Sequence, residues 1–143
     1  MSVSRTGEPI YETHLHPVHA ILLGFLFPLT LGAALSDWLY SSTYQVQWLN
    51  FSDWLIAGSL VGGVLALVWA AVGLLVSRNA RGRGGLFILL LAPTIVVNFL
   101  NSLTHAKDAY ATMPMGLILS VIGTLLALVT SVIGFSGRSR RSA

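Results

Sequence analysis

Four long apolar stretches dominate this sequence, at residues 18–39, 54–76, 85–103 and 114–135. Each is close to the ~20 residues that an α-helix needs to cross a hydrocarbon core of about 30 Å. A segment inside lipid must satisfy its own backbone N–H and C=O groups, which leaves only the helix or the closed barrel. The stretches lack the strict apolar–polar alternation of a barrel strand, so helices are expected. Charged residues make up 9% of the chain, against about 25% in an ordinary soluble domain. So few charges cannot keep the surface of such a chain wet, and its apolar surface needs lipid. The expected fold is all-α: an integral membrane four-helix antiparallel bundle, forming one membrane domain over 1–143. A polar tail at 1–16 and a basic tail at 136–143 flank it.

The first apolar run is expected to be a retained helix rather than a cleaved leader. Arg5 ahead of it is offset by Glu8 and Glu12, and the run is longer than a leader's apolar segment. The connections are expected at 40–53, which is polar and aromatic, at 77–84, which reads SRNARGRG, and at 104–113. Pro17 and Pro114 stand near helix starts, where a missing N–H costs little. Asp53 is expected to cap the second helix. Pro28 and Pro93 fall inside helices and predict kinks.

In a four-span layout Arg5, Arg78, Arg81, Arg83, Arg138, Arg140 and Arg141 share one side, and only Lys107 lies on the other. The positive-inside bias then puts both termini and the basic turn in the cytoplasm. Trp38, Tyr40, Tyr44, Trp48, Trp54 and Tyr110 gather at the opposite side as an aromatic belt. The net charge of +3 thus reads as a topology signal, not a nucleic-acid surface.

Cysteine is absent, so disulfides, thiolate metal sites and c-type haem attachment are excluded. No hydrolytic constellation is visible, and RGRGG at 81–85 lacks the Lys-Ser/Thr of a phosphate-binding loop. Gly58, Gly62 and Ala66 on the second helix, and Gly24 and Gly32 on the first, form small-residue stripes, with a looser one of Gly116, Ser120, Gly123, Ala127 and Gly134 on the fourth, that would let helices approach closely. Such stripes also suit a partner helix or a second copy of the chain.

The costly groups are few. Thr94, Asn98, Asn101 and His105 follow at spacings that put them on one helix face. Asp37 lies at a similar depth near the outer end of the first helix. Asp37, Asn98, Asn101 and His105 are therefore the candidate polar site. It would take a quinone headgroup, a proton or a small ligand. Its simpler reading is interhelical hydrogen bonding, with Asp37 hydrated near the interface. His14, His16 and His19 form a second candidate, for a metal, against a reading as plain interfacial histidines. A haem b held by two histidines is disfavoured, because His105 lies at the opposite end from the others.

The stretch His16-Pro17-Val18-His19, then Phe27-Pro28-Leu29 and Ser36-Asp37-Trp38-Leu39, resembles bacterial membrane proteins of the domain-of-unknown-function 2231 family. The resemblance extends through 54–75 and an Asn near 98 or 101, and departs at Ala20, where that family often has a second Pro. It implies a four-helix protein of the bacterial inner (cytoplasmic) membrane without a mechanism. It also implies proximity to redox proteins.

The function expected from all this is a non-catalytic accessory or anchor subunit of a larger membrane complex, in a respiratory or redox setting. Such a chain is not an enzyme and requires no cofactor. Two other readings stay open: an electron-transfer subunit binding quinone or haem b, and a small proton or metal transporter. The expected partners are the lipid bilayer and either a further protein or a second copy.

Overall fold

The computed structural model describes residues 16–76 and 83–136. His14, Arg5, Arg78, Arg81, Arg138, Arg140 and Arg141 lie outside the described residues. Within them the fold is all-α, with α1 at Pro17–Thr43, α2 at Val46–Val76, α3 at Arg83–His105, a single turn α4 at Ala109–Thr112, and α5 at Met115–Phe135. Four of these, α1, α2, α3 and α5, are long and apolar enough to cross a membrane. The chain has an outer surface of Leu, Ile, Val, Phe and Trp side chains, which suits contact with lipid rather than water.

The helix ends follow from local chemistry. Pro17 occupies the first turn of α1, and the Nδ1 of His16 accepts a hydrogen bond from the Val18 N–H at 3.3 Å. At the other end α1 runs further than its apolar pattern. Ser41 and Ser42 donate to the Trp38 carbonyl, and Thr43 donates to the Leu39 carbonyl, so these hydroxyls are satisfied by bonding back to their own helix. Tyr44 then stops the helix in the left-handed region at φ 54°, with its N–H donating to the Tyr40 carbonyl at 2.8 Å.

The connection expected over 40–53 is thus almost entirely helical, and only Tyr44 and Gln45 separate α1 from α2. Asp53 is therefore not a cap. It sits inside α2, about 10 Å along the axis from the helix start at a rise of ~1.5 Å per residue. The aromatic and polar composition that suggests a loop here belongs instead to helix ends at the edge of the apolar zone. Pro28 and Pro93 do lie inside α1 and α3.

The four long helices form a ring. α1 packs against α2 and α5, and α3 packs against α2 and α5, which leaves α1 and α3 on a diagonal. Small residues set the α1–α2 approach: a Cβ on Gly58 would meet Leu29 Cδ1 at 3.3 Å, and one on Gly32 would meet Leu55 Cδ1 at 3.0 Å. Gly62 faces the Leu22 carbonyl, and Ala66 is buried. Gly24 does not share this role. It is exposed, and a Cβ there would meet nothing within 4 Å.

The interior divides along its length. Leu23, Leu26, Ala66, Phe87, Leu91 and Ala127 make an apolar cluster toward the end where α1 begins. Toward the other end the buried residues turn polar and include Asp37, Ser52, Asn101, His105 and Ser120.

Candidate functional site

The polar end of the interior is built around the Asp37 carboxylate, which has no exposed surface. His105 Nε2 lies 2.9 Å from Asp37 Oδ1, and the Ser120 hydroxyl donates a hydrogen bond to Asp37 Oδ2. The Asn101 amide donates to Ser120 Oγ at 2.7 Å. On its far side the imidazole meets the Asn101 carbonyl, with Nδ1 at 3.0 Å. Ser52 Oγ comes within 3.4 Å of His105 Nε2 and donates to the Ala33 carbonyl.

Each of the four long helices therefore contributes to one network: Asp37 from α1, Ser52 from α2, Asn101 and His105 from α3, and Ser120 from α5. The Asp37–His105 contact ties the diagonal that backbone packing leaves open.

The geometry also constrains the protons. A carbonyl can only accept, so Nδ1 carries a hydrogen and points it at Asn101. One further proton is shared between Nε2 and Asp37 Oδ1, whether it rests on the ring or on the acid. Either way the pair carries no net charge. That is the form in which two ionisable groups are tolerated in a low-dielectric interior.

The candidate residues read from the sequence do not all meet. Asp37, Asn101 and His105 join directly. Asp37 is enclosed rather than hydrated, contrary to the simpler reading of its position near the interface. Asn98 is buried one helical turn away, packed so closely on α5 that a Cβ on Gly123 would stand 2.8 Å from its Oδ1. It shares no hydrogen bond with the network, and its Nδ2 has no partner. Thr94, lower still, bonds Thr130 across α3 and α5 with hydroxyl oxygens 3.1 Å apart.

The histidine cluster is divided. His16 lies tilted against Trp69 of α2 with ring centroids 4.7 Å apart, while His19 turns inward, edge-on to Phe87 of α3 at 5.6 Å. Their third member, His14, falls outside the described residues. Among the described residues no three His, Cys, Asp or Glu side chains converge as a metal site.

Two members of the network are not singled out by sequence reasoning. Ser120 is legible there only as a small packing residue, and Ser52 only as part of a presumed loop. The available signal is positional: Ser120 shares a face with the buried Gly116, Gly123 and Ala127, so its hydroxyl has to find a partner inside the bundle. Beside His105 a cavity of about 200 Å³ is lined by Asp53, Ile56, Ser102, His105 and Ala106.

Neither the curated proteins nor the solved structures provide a significant match. The comparison with protein families does: the profile described as predicted membrane protein, DUF2231, matches residues 15–140. That match covers all four long helices and the network that joins them, and the chain belongs to the DUF2231 family of membrane proteins.

Proposed function

We propose that the protein is a non-catalytic accessory or anchor subunit of a larger complex in the bacterial inner membrane, with both termini in the cytoplasm. The observation that carries this reading is the buried polar network. Asp37, Asn101, His105 and Ser120 hydrogen-bond to one another across the helices, with Asn101 Oδ1 alone among their side-chain atoms left without a partner, and such bonds serve to hold a bundle together. Both His105 nitrogens are engaged, so His105 offers no free position for a haem iron and the haem alternative gains nothing from this site. The transporter alternative gains nothing either, since the spanning helices are continuous rather than broken at mid-membrane. A respiratory or redox complex is the setting we favour, on the strength of the family resemblance.

The test is purification from native membranes in mild detergent through a tag on the chain. Recovery of the same partner proteins at fixed stoichiometry is the expected result. Recovery of the chain alone after gentle extraction contradicts the accessory role.

A further inference from the structure

We propose that the cavity at Asp53, Ser102 and His105 binds the hydroxylated ring of a lipid-soluble quinol. This goes beyond the accessory role and stands or falls separately from it.

The starting point is an unmet hydrogen-bond demand. Asp53 lies within a membrane-spanning helix, and its Oδ1 is shielded and has no partner. An acceptor shielded from water and left without a partner carries an uncompensated desolvation cost. A carboxylate accepts, so the missing partner is a donor. Beside Asp53 the cavity is lined by the polar Ser102 and His105 and by two apolar residues, Ile56 and Ala106. That lining suits a flat apolar ring with hydroxyl groups on its rim.

Size agrees. The volume of about 200 Å³ is somewhat more than the roughly 150 Å³ cavity known to admit a benzene ring. It has room for one six-membered ring.

Depth agrees as well. Asp53 directly precedes Trp54 in α2 and stands about 7.5 Å along the axis from Trp48. Tryptophan marks the level of the membrane interface, so the cavity opens where a bilayer-resident molecule presents its polar head.

Charge selects among such molecules. A phospholipid headgroup would bring a phosphodiester anion beside the Asp53 carboxylate in the cavity wall, and like charges repel. A quinol is neutral, donates from its hydroxyls and has two apolar faces. The sequence offers Asp37, Asn98, Asn101 and His105 as a candidate site for a quinone headgroup, a proton or a small ligand. The structure fills that volume with internal hydrogen bonds and leaves the opening one step away, on the Asp53 side of His105.

The experiment is equilibrium binding of duroquinol, kept reduced under argon, to the purified full-length protein in detergent. Wild type is expected to bind it saturably at one site. Asp53→Leu removes the acceptor, and Ser102→Leu fills the cavity without touching a charge. Each is expected to weaken binding by roughly tenfold or more. Asn98→Ala, outside the cavity, is expected to leave affinity unchanged. Helical circular dichroism and a monodisperse elution profile identify any variant that fails to fold, and the second substitution then decides. Absence of saturable binding in wild type overturns the proposal, as does equal affinity in both cavity variants. Retention of co-purified phosphatidylglycerol, lost on Asp53→Leu while duroquinol does not bind, overturns it in favour of a lipid headgroup.

Discussion

Asp37 and His105 stand 68 residues apart in sequence and within hydrogen-bond distance in the bundle. Both are legible in the sequence because an ionisable group in an apolar helix carries a desolvation cost that only a partner offsets. Ser52 and Ser120 are not, since a serine in lipid can satisfy itself by bonding back to its own helix. Ser59 does this with the Ile56 carbonyl at 2.8 Å. Composition therefore cannot separate the serines that bridge helices from those that do not. Asn98 misleads in the opposite direction: it shares the face of Asn101 and His105, yet its amide packs against Gly123 and joins nothing. The network makes unequal demands on its members. His105→Ala leaves the buried Asp37 without its principal partner and is expected to destabilise the bundle by about 3 kcal/mol, read from denaturant unfolding in mixed micelles. Removing both groups, as Asp37→Leu with His105→Leu, is expected to cost less than His105→Ala alone, because no orphaned acid remains. Strictly additive losses would show that the two side chains do not interact. Ser120→Ala removes one hydrogen bond to each of Asp37 and Asn101, and its expected cost is about 1–2 kcal/mol.

At the scale of the helix, the apolar runs reveal where the spans are and misjudge where they end. Hydropathy falls off beyond Leu39 while the helix continues to Thr43, since serine and threonine hydroxyls there are satisfied by carbonyls of the same helix. The same feature hides the start of α2 and converts Asp53 from a presumed cap into a wall of the cavity. Small residues are similarly half legible. Spacing identifies the stripe, and only the packing shows which members bear contact. Gly123→Ala would thrust a Cβ to 2.8 Å from the Asn98 amide oxygen, and Gly116→Ala would set one 2.9 Å from His105 Cε1. Both are expected to lower stability by about 1–3 kcal/mol through overpacking. Gly24→Ala meets open space and is expected to be neutral or to stabilise by up to about 1 kcal/mol, through the better helix propensity of alanine. A series in which Gly24→Ala is as harmful as Gly123→Ala contradicts the assigned helix faces.

Across the whole molecule, the ring order of the helices is the part least available from sequence. Four antiparallel spans permit several arrangements, and nothing in hydropathy says that α1 and α3 lie on a diagonal. The arrangement follows instead from pairs that meet between neighbours: Thr124 donates to the Thr30 carbonyl between α5 and α1 at 2.8 Å, and Thr94 meets Thr130 between α3 and α5. Orientation is a separate matter and can be read directly, since a chain without cysteine accepts single labels cleanly. Lys107→Cys is expected to react with an impermeant thiol reagent added to intact cells, and Ser136→Cys only after permeabilisation. The reverse pattern would invert the proposed topology. The claim on which the rest depends is the helix arrangement that assembles the polar network. Its most direct test is a double-cysteine variant, Thr94→Cys with Thr130→Cys, oxidised in native membranes and then cleaved by protease within 104–113. The hydroxyl oxygens of this pair lie 3.1 Å apart, close enough for the replacing sulfurs to bond. The arrangement predicts that the α3 and α5 fragments stay joined until reduced. Fragments that separate without reductant, under conditions that oxidise other thiol pairs in the same membranes, contradict it.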